Sequence, residues 1–377
     1  TDIPYFDVSH SDYVLSIGSA FLDRWRSPVH YTRALAEMRR GRPGRRGRFV
    51  QAEARMSLTA ANADEWLAVR PGAEGILART LAGILLSSGK IEKDNAARYR
   101  NLFPEDPPRL EEGAALCAVA AEKIERIATE LAVAENKVVM AGGSAAGHQD
   151  GLFNVAAALG LNVLLGTLGE PGGVFAPASF DLEDGIAPKT EPASMAELAT
   201  RLRGEELAPV DLLIVVDADP VHTLPASWQL HATMANVGMV IVLSSFRTDT
   251  TLLADLVLPL NTQLERFDAV APTASIGVPV LNFSEPAVEP LGDARHPADV
   301  VLAMAAALGE PIASQFPWAS FPRFVEARIE EQLEQLPGSQ GMAASAFIRL
   351  AVERGGIFGE EPPNLVPPGP LDSTVLT

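Results

Sequence analysis

Short apolar runs alternate with stretches of helical spacing along the first part of the chain. Residues 12–18 and 49–53 are apolar runs of the kind that forms buried strands, and the second run ends in an acid. Residues 94–108 are polar and contain prolines that interrupt regular elements. This alternation predicts a parallel sheet with crossover helices. The predicted helices of this part are residues 28–40, 62–67, 74–87 and 111–134.

The same alternation continues to the far end of the chain. It predicts an α/β fold of two Rossmann-like, doubly wound parallel-sheet domains, over residues 1–110 and 111–355, followed by a tail rich in proline and glycine over 356–377. The strands predicted here are residues 136–141, 211–216, 238–243 and 256–259. The helices predicted here are residues 152–165, 298–308 and 321–336.

Composition and charge exclude several classes of protein. The chain has 377 residues, of which 47% are hydrophobic, so it can bury a sizeable core and is not disordered as a whole. Its 30 basic and 48 acidic residues give a net charge of −18, which argues against nucleic-acid binding. The single cysteine, Cys117, excludes an internal disulfide and an iron–sulfur cluster. No apolar run approaches the roughly 18–20 residues of a membrane span.

Three junctions between a strand and the following turn are candidates for ligand binding. They are Gly18-Ser19, Gly142-Gly143-Ser144 and residues 217–220, which include Asp217, Asp219 and Pro220. Ligands of open parallel sheets lie beyond the carboxyl ends of the strands, where glycine lets backbone N–H groups approach a diphosphate. Glu53, at the end of a strand, is placed to accept from ribose hydroxyls. Ordinary tight turns in an α/β fold remain the alternative, since no complete phosphate-binding motif is present.

Other charged residues leave two interpretations open. Asp249 and Glu265 follow apparent strands, so they either line the same crevice or are solvated loop acids. The arginine-rich segment 39–48 either contacts an anion or an acidic partner, or is a solvated loop. We find no Ser-His-Asp order, no paired catalytic carboxylates and no metal-binding spacing, so no catalytic and no metal-ligating residue is assigned.

Four ordered blocks of sequence are similar to a known family. Residues 53–75 read EARMSLTAANADEWLAVRPGAEG, which resembles the pattern D-P-R-x-[ST]-x-T-A-x-x-A-D-x-W-[LV]-x-[IV]-x-P-G-T-D. Residues 159–173 (LGLNVLLGTLGEPGG), Asp219-Pro220 and residues 246–265 (FRTDTTLLADLVLPLNTQLE) continue the likeness. The chain resembles the molybdopterin oxidoreductase superfamily, also called the dimethyl sulfoxide reductase superfamily.

This resemblance implies a set of α/β domains that hold two molybdopterin guanine dinucleotides around molybdenum or tungsten. Position by position, it implies two groups of cofactor-binding residues. The first nucleotide would be surrounded by Gly18, Glu53, Arg55, Ser57, Pro71, Gly72 and Glu74. The second would be surrounded by Gly142, Gly143, Gly173, Asp217, Asp219, Pro220, Asp249 and Glu265.

Departures from the family pattern make a vestigial site the favoured interpretation. Glu53 and Glu74 stand where the family has aspartates, and Asp219 stands where it has an amide. An acid in place of an amide removes hydrogen-bond donors and adds negative charge where a polyanion would bind. We also expect the fold to lack the N-terminal iron–sulfur domain and the C-terminal barrel domain of family enzymes.

Some blocks are most similar to the molybdopterin-like subunits of alternative complex III and of menaquinone reductase, which keep the fold without the cofactor. They are residues 13–18, 41–47 and 287–295. The resemblance implies a scaffold subunit with an empty cofactor site in a membrane-bound quinol or quinone oxidoreductase complex.

Iron–sulfur clusters, haem and quinone sites would then lie on partner subunits, and this chain would lie at the outer, periplasmic face of the membrane. Segment 39–48 and the tail would contact partners. The alternative is part of an active molybdenum or tungsten enzyme that binds molybdopterin guanine dinucleotide, with its remaining segments on another chain.

Overall fold

The structure is a computed structural model that describes residues 4–176, 194–203, 210–271 and 276–359. Contacts divide the chain into two compact units. Unit 1 contains the described residues 4–176 and 276–279, and unit 2 contains 194–203, 210–271 and 280–359. This division differs from the suggested one at residue 110, because the strand at 137–141 pairs inside the sheet of unit 1. Most of the tail, residues 360–377, lies outside the described residues.

The sheet of unit 1 is parallel and has the order β4-β3-β2-β5. A short antiparallel pair, β1 with β6, lies outside it. Strands β2 and β5 occupy neighbouring positions although more than a hundred residues separate them, as expected of a doubly wound sheet. The strands of unit 1 are β1 (Tyr5–Phe6), β2 (Tyr13–Ile17), β3 (Arg48–Glu53), β4 (Glu65–Ala68), β5 (Lys137–Ala141) and β6 (Val174–Phe175).

Helices cover both faces of this sheet. Side chains alternate along β2, so that Leu15 and Ile17 pack on one face and Val14 on the other. The first face is covered by α3, α6 and α7, and the second by α1, whose Tyr31 and Leu35 are buried there. The helices of unit 1 are α1 (Pro28–Ala36), α2 (Leu58–Ala61), α3 (Glu74–Ser87), α4 (Lys93–Leu102), α5 (Leu110–Cys117), α6 (Ala121–Val133) and α7 (Gly151–Leu165).

Three of the predicted elements of unit 1 are wrong. The helix predicted at 62–67 is an edge strand, β4, because the backbone pairs with β3 there. The helix predicted at 111–134 is broken into α5 and α6, since Ala118 adopts a left-handed conformation with φ of 58°. The segment 94–108, predicted to be irregular, contains most of α4, and its prolines follow only after that helix has ended.

Unit 2 contains two sheets of three strands each within its described residues. The first is parallel with the order β7-β8-β9, and the second is antiparallel with the order β10-β11-β12. The strands are β7 (Leu212–Val216), β8 (Met239–Ser244), β9 (Leu256–Pro259), β10 (Asp268–Val270), β11 (Val280–Ser284) and β12 (Ile357–Phe358). The helices are α8 (Met195–Arg203), α9 (Pro220–Thr223), α10 (Leu230–Thr233), α11 (Pro297–Leu308), α12 (Phe321–Gln332) and α13 (Ala344–Arg354).

The packing of unit 2 is less complete than that of unit 1. One face of the parallel sheet buries Val215, Val240 and Val242, and the other buries Ile241 and Leu243 near Val300 of α11. Apolar side chains of β7 and β9 are nevertheless substantially exposed, among them Leu212, Ile214, Val216, Leu256 and Val257. The α/β class with parallel sheets is therefore confirmed, with a well-covered sheet in unit 1 and a partly open one in unit 2.

None of the helices within the described residues is both long enough and apolar enough to cross a bilayer.

Candidate functional site

Three glycines meet at the carboxyl ends of β2 and β5 in unit 1. Gly18 follows β2, and Gly142 and Gly143 follow β5, so parallel pairing brings them to the same edge of the sheet. The backbone N–H of Ser144 donates to the Gly18 carbonyl oxygen at 3.1 Å, and the N–H of Gly142 donates to that of Ile17 at 3.3 Å. Gly18 was predicted to bind the first nucleotide, and Gly142 and Gly143 the second. The structure instead places all three residues side by side.

Neighbouring atoms of the chain leave no room for a side chain at these glycines. A Cβ atom on Gly18 would lie 2.6 Å from the backbone nitrogen of Ala145, and one on Gly143 would lie 2.4 Å from the Gly18 carbonyl oxygen. A Cβ on Gly142 would lie 2.7 Å from Nε1 of Trp25. Gly18 and Gly143 also have positive φ values of 74° and 55°. These contacts explain why each position is glycine without invoking a ligand.

Glu53 is buried and its carboxylate is bound by the chain's own donors. Oε1 accepts from the backbone N–H of Ser57 at 2.8 Å, and Oε2 accepts from the side-chain amide of Gln51 at 3.0 Å. Only 3% of Glu53 is exposed, so its oxygens face the interior. Ser57 in turn caps α2 by accepting from the N–H of Ala60 at 3.2 Å. Both residues therefore hold the turn after β3 in place.

Glu74, at the start of α3, differs from Glu53 in keeping one oxygen unpartnered. It is fully buried, Oε2 accepts from the Asn154 side chain at 3.4 Å, and Oε1 has no hydrogen-bond partner within the described residues. Asn154 also accepts from the N–H of Gly75 at 2.9 Å, and so links α3 to α7. The sequence reasoning missed Asn154. Its signal is an amide within the largely apolar run of α7, which also contains Asn162.

The other predicted residues of the first group lie nearer the surface. Arg55 and Pro71 are exposed, and Gly72 is partly exposed, with a Cβ there lying 3.8 Å from the ring of His148. Gly173 lies at the opposite end of the sheet. Its carbonyl oxygen accepts from the N–H of Asp7 at 2.9 Å, close to the residues that precede β2. The structure therefore does not bring Gly173 to the glycine cluster.

Unit 2 presents its candidate residues on an open edge. Asp217, which follows β7, is exposed and has a positive φ of 48°. Asp219 precedes Pro220 at the start of α9, and its Oδ1 accepts from the backbone N–H of Thr250 at 3.0 Å and from the Thr250 hydroxyl. Partial burial raises the pKa of Asp219. Hydrogen bonds from Thr250 and from the backbone of His222 and Asp249 outweigh this and hold the pKa below its usual value.

Asp219, His222 and Asp249 form a cluster of potential metal ligands. One ligand atom of each lies within 4.8 Å of the others, and Nδ1 of His222 lies 3.3 Å from Oδ2 of Asp249. His222 and Asp249 are exposed, and the hydrogen bonds that Asp219 accepts explain its position as the cap of a turn. The cluster is compatible with a cation, but its geometry alone does not require one.

Glu265, after β9, organises a loop. Its carboxylate accepts from the N–H and hydroxyl of Thr262 at 2.7 and 2.9 Å and from the N–H of Leu291 at 2.9 Å. These hydrogen bonds lower the pKa of Glu265. The largest contribution comes from the Thr262 N–H, the next from the Thr262 hydroxyl, and a smaller one from the Leu291 N–H. Both Glu265 and Asp219 are therefore carboxylates that accept from backbone N–H groups of neighbouring loop segments and from a threonine hydroxyl.

Five of the six arginines of segment 39–48 form ion pairs within unit 1. Arg45 contacts Asp12 at 2.8 Å, Arg46 contacts Asp64 at 2.7 Å, and Arg48 contacts Glu65 at 2.9 Å. Arg39 and Arg42 also form ion pairs, with Asp64 and Asp12. These contacts give the segment a role within unit 1, and its contact with a partner subunit stays a prediction.

A family model described as molybdopterin oxidoreductase matches residues 2–307. The chain belongs to the molybdopterin oxidoreductase family. Its fold agrees, since acetylene hydratase from Pelobacter acetylenicus superposes with a TM-score of 0.72 at 17% identity, over 96% of this chain and 54% of that protein. At this identity the likeness shows the fold alone.

Curated members of the family show which relatives this sequence resembles. It is 30% identical over 316 residues to the menaquinone reductase molybdopterin-binding-like subunit of Nitratidesulfovibrio vulgaris, covering 81% of this chain and 44% of that protein. It is 22% identical over 335 residues to the thiosulfate reductase molybdopterin-containing subunit of Salmonella typhimurium, covering 78% and 43%. The chain thus spans less than half the length of these two relatives.

The glycine cluster of this family member is a poor fit for a bound pterin dinucleotide. Gly18, Gly142 and Gly143 pack against the chain's own backbone and Trp25, and the Glu53 carboxylate is turned inward to Ser57 and Gln51. On unit 2, Asp217, Asp219 and Asp249 present carboxylates where an anionic ligand needs donors. We therefore derive no catalytic step through a pterin or its metal.

Proposed function

We propose that this family member is a subunit of a membrane-bound respiratory complex that oxidises quinol or reduces quinone, and that it acts there as a scaffold. The observation that carries the proposal is the close packing of the glycine cluster of unit 1, where Gly18 and Gly143 lie directly against the chain's own backbone. The likeness to a menaquinone reductase subunit supports the choice of complex. Electrons would pass through iron–sulfur and haem centres of partner subunits on the periplasmic side of the membrane.

A scaffold role also fits the chemistry that the described residues offer. Cys117 is buried, and burial raises the pKa of its thiol, so it is unsuited to be a thiolate nucleophile or metal ligand. The buried carboxylates Glu53 and Glu74 lie among donors and acceptors of the chain itself. In this proposal the chain contributes shape and contacts, whereas its partners carry the redox centres.

Co-purification from the source organism tests the assignment to a complex. An affinity tag on this protein should recover, from detergent-solubilised membranes, an assembly that contains iron and haem and that exchanges electrons with a menaquinone analogue. Deleting the protein should lower that activity in membranes because the assembly fails to form. Recovery of the tagged protein free of haem and iron, with membrane quinone activity unchanged by the deletion, contradicts the proposal.

A second candidate function is part of an active molybdenum or tungsten enzyme. The unpartnered Oε1 of the buried Glu74 favours it, since a buried acceptor without a donor is uncommon and a ligand donor would satisfy it. The likeness to a molybdopterin-containing thiosulfate reductase subunit points the same way. Stoichiometric pterin dinucleotide in the purified assembly supports this candidate over the scaffold.

A further inference from the structure

Unit 1 contains a cavity that is separate from the glycine cluster. Its volume is about 710 Å³, and it lies between α3, the end of α4, the segment 103–108 and the start of α7. None of the predicted cofactor-binding residues lines it. Small-molecule sites typically have volumes of about 300–1,000 Å³ and are mainly apolar with a few polar groups. Its apolar wall includes Ile76, Leu102, Phe103, Leu152 and Phe153.

Arg79 of α3 lines this cavity and is almost completely buried, with 5% of its surface exposed. Nη1 donates to the Tyr99 hydroxyl at 2.9 Å, and Nη2 donates to the backbone carbonyl oxygen of Glu105. The guanidinium also lies 4.9 Å from the ring centroid of Phe103 and 5.5 Å from that of Tyr99. Packing against these rings fixes its position.

Within the part of the chain that the structure describes, the charge of Arg79 has no counter-ion. Its hydrogen-bond partners are a neutral hydroxyl and a neutral carbonyl, and no carboxylate among the described residues forms an ion pair with it. Arginine has five N–H donors, of which these two bonds use two. A buried charge without an opposite charge is strongly destabilising, and aromatic rings offset only part of that effect. A carboxylate in the cavity would complete the site, because it matches the planar guanidinium.

The rim of the cavity restricts the ligand further. Glu105, Asp106 and Asp150 line it and are exposed, so their carboxylates repel ligands with several negative charges. Leu152 and Phe153 at the start of α7 are 63% and 43% exposed, which leaves apolar surface for an apolar body. The N-terminus of α7, a helix of 15 residues, adds a weakly favourable potential for one anionic group.

We propose that this cavity binds a small organic monocarboxylate with an apolar body, and that the carboxylate pairs with Arg79. The apolar body lies against Leu102, Phe103 and Leu152, and the acidic rim excludes phosphate esters and nucleotides. The site is independent of the proposed scaffold function, because its lining shares no residue with the candidate nucleotide edge.

Isothermal titration calorimetry of the full chain tests the site. The probes are octanoate, octanamide as a neutral ligand of the same size, and inorganic phosphate. Octanoate should bind saturably, with a Kd of about 1 mM or tighter, octanamide at least about tenfold more weakly, and phosphate not at all. Equal affinity for octanoate and octanamide, or no saturable binding of octanoate, overturns the proposal.

Two variants and a control variant sharpen the test. Arg79→Met keeps much of the side-chain volume and should abolish the preference for octanoate over octanamide. Because this buried position affects folding, Leu152→Asp provides a second variant, which places a negative charge on an exposed wall and should weaken octanoate binding at least about tenfold. Val133→Asp adds the same charge at a position of α6 that is 64% exposed and is not part of the lining. Unchanged octanoate affinity in Leu152→Asp contradicts the assignment.

Discussion

The carboxyl edges of the two parallel sheets differ in how they use their polar residues. In unit 1 the edge is closed: Gly143 approaches the Gly18 carbonyl, Gly18 approaches the backbone that follows β5, and Glu53 is 3% exposed with both oxygens bonded. In unit 2 the edge is open, with Asp217 and Asp249 exposed to solvent. The difference teaches that motifs of one family perform different tasks in the two units. Those of unit 1 stabilise a buried turn, and those of unit 2 order surface loops.

The largest expected effect comes from the glycines of the closed edge. Gly143→Ala forces a Cβ to within 2.4 Å of the Gly18 carbonyl oxygen and a side chain onto a φ of 55°, so it should lower the free energy of unfolding by about 3 kcal/mol or more. Gly44→Ala is the matched control, because Gly44 has a φ of 72° but no atom within 4 Å of the added Cβ. Its effect should be about 1 kcal/mol.

Urea denaturation of both variants, with hydrogen exchange to assign the change to unit 1, measures this difference. If Gly143→Ala and Gly44→Ala destabilise the protein equally, the edge of unit 1 is less tightly packed in solution than in this structure and has room for a ligand.

Replacement of Glu53 should cause the next largest loss in the free energy of unfolding. Glu53→Ala leaves the N–H of Ser57 and the amide of Gln51 without their acceptor in a buried turn, and should cost about 2–4 kcal/mol in the free energy of unfolding. Chemical denaturation measures it, and Glu122→Ala on α6 serves as a control for loss of a glutamate at an accessible position. A change below about 0.5 kcal/mol in Glu53→Ala shows that its bonds are not formed in solution.

Acid should weaken the ion pairs of unit 1. Partial burial raises the pKa of Asp64. Hydrogen bonds from Arg46 and the Phe49 N–H, together with the charge of Arg39, outweigh this and keep the pKa below its usual value. Because the folded pKa is below the unfolded value of about 4, the stabilisation is present above pH 4 and is lost as the pH falls through the folded pKa. Asp64→Asn should therefore reduce stability at pH 7 and flatten its decline in acid.

Hydrogen exchange of β3 and β4 between pH 7 and acid follows this titration. If the stability of Asp64→Asn falls with decreasing pH as steeply as that of the unaltered chain, the loss of stability in acid arises from groups other than Asp64.

The smallest expected effect is at the open edge. Asp219→Asn retains an acceptor for the Thr250 N–H and hydroxyl, so the free energy of unfolding should change by less than about 1 kcal/mol. Thermal unfolding followed over unit 2 measures it. A loss as large as that of Glu53→Ala would show that the negative charge itself is needed, for example by a bound cation at the cluster with His222 and Asp249.

The sequence predicted the sheet better than it predicted the site. The buried runs at β2, β3 and β5 are apolar enough to be recognised from hydropathy, and the four family blocks identified the family correctly. β4 was missed because this edge strand, in which Glu65 is partly exposed and Ala68 is exposed, lacks a strong apolar signal. The position of Gly173 at the far end of the sheet, and the pairing of the arginines, depend on long-range contacts that spacing does not contain.

The central proposal is that this chain has the fold of the molybdopterin oxidoreductase family but does not hold the cofactor. The most direct measurement is elemental and pterin analysis of the protein purified from its source organism in its native assembly, with molybdenum, tungsten and guanine dinucleotide quantified per chain. The account predicts that each is far below one equivalent per chain while the assembly remains intact. One equivalent or more of molybdenum or tungsten, together with pterin dinucleotide that is retained by this chain, contradicts it.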